Sequence, residues 1–121
     1  FSGIKTAVIN LHHKNPEINK ADLCASFEKV TTEMLIDNVI KAVEENKIRK
    51  VVLAGGGSAN TYIRKEFEKL GEQKNIKIYH PELKLCTDNA AMIAAAAYYN
   101  YENGKTSELK LNAVPNLKLG G

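Results

Sequence analysis

Apolar residues recur at helical intervals through the first half of the chain. Leu23, Phe27, Val30 and Met34 fall at i, i+4, i+7 and i+11, and Ile36, Ile40 and Val43 continue on a rotated stripe. Together they predict one long amphipathic helix with a wide apolar face. Asn19 followed by Asp22 resembles a capping pair at its start, and the helix is expected to end near Asn46. At 1.5 Å per residue it would be about 36 Å long. Residues 4–12 (IKTAVINLH) predict a shorter, frayed helix, and residues 13–20, with Pro16 among them, predict a loop.

The pattern then changes period. Lys50–Ala54 (KVVLA) is a short apolar run of the kind buried in parallel sheets, and Gly55, Gly56 and Gly57 stop it at once. Ser58–Leu70 turns helical, with Tyr62, Ile63, Phe67 and Leu70 on one face. Ile76–Tyr79 predicts a second strand ended by Pro81, residues 82–87 a loop, and Asn89–Tyr101 a helix dominated by alanine. Beyond Gly104 the tail is polar and turn-rich. The order helix, strand, helix, strand, helix predicts an α/β fold with parallel strands. Two parallel strands do not make a self-sufficient sheet. The chain therefore reads as a slice of a larger α/β domain whose partner strands come from elsewhere.

Composition narrows the class. The 121 residues suit one domain, taken as 1–121, and 44% apolar content is enough for a core. A net charge of +3 permits contact with a phosphate backbone without arguing for it. The longest apolar run, Ala90–Tyr99, is half a membrane span, so no membrane helix is expected, and no secretory signal is visible. The two cysteines, Cys24 and Cys86, form no C-x-x-C pair, which excludes zinc ribbons and thioredoxin-type chemistry and fits a reducing, cytoplasmic setting. Cys24, among apolar neighbours, reads as core filler. The chain opens on Phe1, as expected of a processed chain or of one cut from something longer.

Two segments could carry chemistry. AGGGSAN, residues 54–60, lies where a strand ends and a helix begins. Ligands of open α/β sheets gather there, and a helix start offers N–H groups to a phosphate. Asn60 would add a donor and an acceptor. No Gly-Lys-Ser/Thr follows, so this is not a Walker A loop, and Asn60 replaces the third glycine of a dinucleotide fingerprint. A tight turn, with glycine at positive φ and Ser58 capping the helix, explains the segment equally well. LCTDNAA, residues 85–91, contains Thr87 and Asp88, either of which would cap the alanine-rich helix. Asp88 is alternatively one ligand of a metal, although one carboxylate cannot build a site. His12, His13 and His80 read as surface residues.

Several segments together resemble one family. FSGIKTAV at 1–8, DLCASFEKV at 22–30, VVLAGGGSAN at 51–60, LKLCTDNAAMIA at 83–94 and NAVPNLKL at 112–119 are similar to the tRNA threonylcarbamoyl transferases of the TsaD family, formerly called O-sialoglycoprotein endopeptidases or glycoproteases. The resemblance implies a two-lobed fold of the actin, sugar kinase and Hsp70 type (ribonuclease H-like), of which this chain would be a truncated part of the C-terminal lobe. It implies transfer of a threonylcarbamoyl group from threonylcarbamoyl-AMP to N6 of adenosine 37 in tRNA, with the partner proteins of the t6A synthesis complex. It also implies a bound nucleotide, threonylcarbamoyl-AMP or ATP, and one divalent metal, iron or zinc.

Carried over by position, Asn60 contacts the nucleotide, Gly55 and Gly56 match the family's glycine pair, and Asp88 ligates the metal. The remaining metal ligands would be a histidine pair in the missing lobe, which His12 and His13 do not match. Gly57 and Ser58 stand where the family usually has Val and Ala, which loosens the turn. Asn60 and Asp88 are expected on one wall of an adenylate pocket whose other wall the chain lacks. The fragment alone is then expected to be inactive and, with strand edges and an apolar face uncovered, to self-associate. The competing readings are a lobe of a sugar kinase or Hsp70-like ATPase, against which the TDNAAMIA segment argues, and a non-catalytic interaction module.

Overall fold

The computed structural model describes residues 2–116. Helix α1 (Ser2–Lys14) and helix α2 (Lys20–Asn46) lead into strand β1 (Lys50–Val52). Helix α3 (Thr61–Lys74), strand β2 (Lys77–Tyr79) and helix α4 (Ala90–Glu102) follow. The predicted alternation of helices and strands is present, with α1 in front of it. The chain divides into two compact units, Phe1–Thr87 and Asp88–Gly121.

In the first unit, β1 and β2 pair in parallel, with Lys50 opposite Lys77, Val51 opposite Ile78 and Val52 opposite Tyr79. The Leu53 amide still donates to the Tyr79 carbonyl at 2.8 Å, so pairing outlasts β1 by one bond. Helix α3 is the crossover between the two strands, and its inner face forms the centre of the core. Phe67, Leu70, Ile76, Val43 and Cys86 are buried. Gly71, also buried, lets α3 approach β2 closely. A methyl group there would meet the Ile76 carbonyl oxygen at 2.7 Å and Ile78 Cγ1 at 2.9 Å. The helix ends at Asn75, which takes the left-handed conformation at φ 53°, and Arg49 Nη1 donates to the exposed Lys74 carbonyl at 2.9 Å.

Helix α2 begins as the sequence predicts. Asn19 is its N-cap, and its Oδ1 accepts from the amides of Ala21 at 2.9 Å and Asp22 at 3.5 Å. Its predicted apolar face divides in two. Thr32 and Val43 are buried. Phe27, Val30 and Met34 are instead 41–47% exposed, and Phe27 and Val30 border an open groove against Val8 and Leu11 of α1. Cys24 is exposed and is not core filler, since it lines a second open groove between α1 and α2 with Lys5, Val8 and Ile9. Strand β1 also differs from the buried run its composition suggests. Val52 is 69% exposed, since the sheet has two strands among the described residues and only one of its faces carries packing.

In the second unit, α4 buries none of its residues, and Ile93, Tyr98, Tyr99 and Tyr101 are all exposed. The rings of Tyr98 and Tyr99 meet edge to face with centroids 5.6 Å apart. Residues 117–119 of the NAVPNLKL segment lie outside the described residues. No described helix is long and apolar enough to cross a membrane.

Candidate functional site

The glycine segment forms a built turn at the carboxyl end of β1. Gly55 takes φ 80° and ψ 174°, a conformation essentially confined to glycine. Residues Gly56–Ala59 then make one 3-10 turn. It closes when the Ser58 amide donates to the Gly55 carbonyl at 3.0 Å and the Asn60 amide donates to that of Gly57 at 3.1 Å. A side chain at Gly56 or Gly57 would meet nothing within 4 Å, so the backbone there lies open. The amides of Gly56 and Gly57 precede the first bond of the turn and have no acceptor among the described residues.

Asn60, not Ser58, caps α3. Its Oδ1 accepts from the amides of Tyr62 at 2.8 Å and Ile63 at 3.1 Å. Ser58 is buried, and its hydroxyl turns back to donate to the Gly55 carbonyl at 2.7 Å. The physical reason is the 3-10 turn, which delays the helix to Thr61 and moves the cap position from 58 to 60. The cap changes what Asn60 has to offer. Both lone pairs of Oδ1 are engaged, and Nδ2 donates one hydrogen to Glu28 Oε1 at 2.9 Å. A single amide N–H remains for a ligand, where the sequence suggested a donor and an acceptor.

Glu28, on α2, was invisible to sequence reasoning as a neighbour of the turn. It lies 32 positions from Asn60, and no local pattern reports such a contact. Arg64 was missed as well. Its guanidinium donates to the Ser58 carbonyl, to His80 Nδ1 at 3.0 Å, to the Pro81 carbonyl at 2.8 Å and to Cys86 Sγ at 3.0 Å. Its position one turn after the cap was the only available signal. Beside the turn lies an open apolar cleft of 310 Å³, lined by Val39, Val52, Ala54, Gly57, Ser58 and Phe67.

Asp88 belongs to the second unit, where it is exposed and directly precedes the cap of α4. Neither Thr87 nor Asp88 is that cap. Asn89 is, with φ −151° and Oδ1 accepting from the Met92 amide at 3.0 Å. Among the described residues no three His, Cys, Asp or Glu side chains converge as metal ligands. The described residues therefore do not complete a metal centre by themselves. His80 is held between Arg64 and Glu68, and its Nε2 lies 3.2 Å from Glu68 Oε1.

A parallel strand, an open glycine turn with two amides that meet no acceptor among the described residues, and a capped helix behind it make up a strand-to-helix junction of an α/β protein, where ligands of such folds gather. Residues 1–95 match the family model of TsaD, tRNA N6-adenosine threonylcarbamoyltransferase, and the chain belongs to that family. It is 48% identical over 124 aligned positions to a tRNA N6-adenosine threonylcarbamoyltransferase of Clostridium novyi (strain NT), with 99% of this chain covered and 36% of the relative. The enzyme of the same description from Clostridium perfringens (strain ATCC 13124) is also 48% identical, with 99% and 37% covered. That of Clostridium kluyveri (strain NBRC 12016) is 46% identical, with 99% and 36% covered. The chain thus spans little more than a third of the length of these curated relatives.

Proposed function

We propose that this chain is the nucleotide-holding segment of the C-terminal lobe of a tRNA N6-adenosine threonylcarbamoyltransferase. The intact protein joins the N6 amine of adenosine 37 in tRNA to the carbamoyl carbon of threonylcarbamoyl-AMP. The bond from that carbon to the phosphate oxygen breaks, AMP leaves and the amine loses a proton. In this reading the Gly56 and Gly57 amides hold adenylate phosphate oxygens, and the remaining N–H of Asn60 donates to the nucleotide. Asp88 supplies one ligand to a metal whose other ligands lie outside this chain. The bound metal would act as a Lewis acid and template for the phosphate and carbamoyl oxygens. tRNA and the partner proteins of the t6A synthesis complex are the partners.

The observation that carries the reading is the pair of glycine amides at the carboxyl end of β1 that have no acceptor among the described residues, in a chain of this family. Gly56→Ala tests it cleanly. Space is open at that position in the free protein and its φ is not positive, so the unfolding midpoint should stay within error of wild type. The added methyl would stand where a phosphate must approach. In the full-length protein, AMP affinity measured by titration calorimetry should fall at least tenfold. Wild-type affinity in that variant would remove the turn from the site.

The isolated chain supports a separate expectation. It offers one metal ligand and part of a cleft, so purified alone with threonylcarbamoyl-AMP and tRNA it should show no turnover. Its exposed strand and helix faces should make it associate with itself, which light scattering would report as a mass above that of one chain. Turnover by the isolated chain, or a sharp single-chain mass, would contradict these expectations.

A further inference from the structure

Parallel pairing of β1 and β2 places the loops that follow them at the same edge of the sheet, the edge where α/β proteins bind ligands. Arg64 engages both loops. Four of its five N–H donors are taken: Nε by the Ser58 carbonyl in the glycine turn, and the others by His80 Nδ1, the Pro81 carbonyl and Cys86 Sγ in the loop after β2. Two of these acceptor residues are deeply buried, Ser58 at 4% and Cys86 at 3% exposure. The Cys86 thiol is fixed in turn by donating to the Glu82 carbonyl at 3.4 Å. His80 is held from both sides. Because a guanidinium can only donate, His80 Nδ1 presents its lone pair to Arg64, and the ring proton sits on Nε2 facing Glu68.

We propose that Arg64 is a positioning residue for nucleotide binding, an inference that rests on the nucleotide reading of the glycine turn. Its guanidinium fixes the Ser58 carbonyl against the loop after β2, so the Gly56 and Gly57 amides are held in place before the ligand arrives. With four donors already engaged inside the protein, it acts through the turn and not on the nucleotide. Preorganisation of this kind lowers the ordering cost of binding. The planar fork is essential to it, because a lysine ammonium is a point charge that cannot span four acceptors in these directions.

The test uses the full-length enzyme carrying this segment, with AMP as the probe in titration calorimetry. Arg64→Ala and Arg64→Lys are compared with wild type and with Lys69→Ala, which removes an exposed ion pair with Glu66 on the same helix. Both Arg64 variants should raise the AMP dissociation constant at least tenfold, and KM should rise more than kcat falls. In the ligand-free protein, hydrogen exchange at the Ser58 and Cys86 amides should quicken in both variants. Lys69→Ala should match wild type throughout. Wild-type affinity in folded Arg64→Lys would overturn the inference, because positive charge alone would then suffice. Wild-type affinity in Arg64→Ala would overturn it as well, leaving the arginine a purely structural role. Should Arg64→Ala fail to fold, Arg64→Lys carries the test. Failure of the wild-type enzyme itself to bind AMP would sink the nucleotide reading, whereas wild-type binding with indifferent Arg64 variants would sink only this inference.

Discussion

Phe67→Ala is expected to lower the unfolding free energy by about 3–5 kcal/mol, the usual cost of truncating a buried aromatic residue. Phe67 is 2% exposed and stands on the inner face of α3. Two terms add. The lost ring forfeits its transfer free energy, and the space left behind cannot collapse because α3 is tied at both ends. Asn60 caps its start, and Asn75, with the Ile76 amide bonded to the Gly71 carbonyl at 2.9 Å, closes its end. The vacated volume would merge with the cleft that Phe67 already borders with Val39 and Ile63. Few other large side chains among the described residues are as buried, so little remains to compensate. A domain of this size has only several kcal/mol of net stability, and the variant should be largely unfolded at moderate urea concentration. Urea denaturation followed by circular dichroism measures the effect. A loss under about 1 kcal/mol would show that α3 is not the centre of the core.

Gly71→Ala should also destabilise, against the direction that helix propensity alone dictates. Alanine inside a helix is favoured over glycine by about 1 kcal/mol. At Gly71 that gain is outweighed, because the new methyl would sit 2.7 Å from a backbone oxygen and 2.9 Å from Ile78 Cγ1. The oxygen belongs to Ile76, next to the three-residue strand β2, and cannot withdraw without disturbing the pairing with β1. Overpacking of this kind costs about 1–3 kcal/mol, and the net change should be a lowered melting temperature. Gly71→Val, larger and β-branched, should lower it further. A rise in melting temperature for the alanine variant would mean that α3 and β2 are farther apart than described.

These two residues show how far sequence reasoning reached. The i, i+4, i+7 spacing placed Phe67 and Leu70 on one face of α3, and both are buried. Gly71 carried no such signal, since a glycine within a helical pattern is explained only when the strand it faces is known. The glycine turn was legible as a strand-to-helix junction, and Gly55 does take positive φ there. The capping residues were misplaced at both candidate segments. Ser58 and Asn60 lie two positions apart, as do Thr87 and Asn89, and all can cap. A 3-10 turn before α3 decided the first case.

The sequence by itself determined the local elements and the family. Periodicity, caps and glycines act over a few residues, and a family resemblance needs only their order along the chain. Tertiary structure alone decided what each site residue has left to offer. Glu28 takes an amide hydrogen of Asn60, and Arg64 joins the loops after both strands. The contacts of Asn60 with Glu28 and of Arg64 with Pro81 and Cys86 span 17 to 32 positions. They depend on how helices pack across a sheet, where the partner is chosen by distance in space and leaves no local trace in residue order.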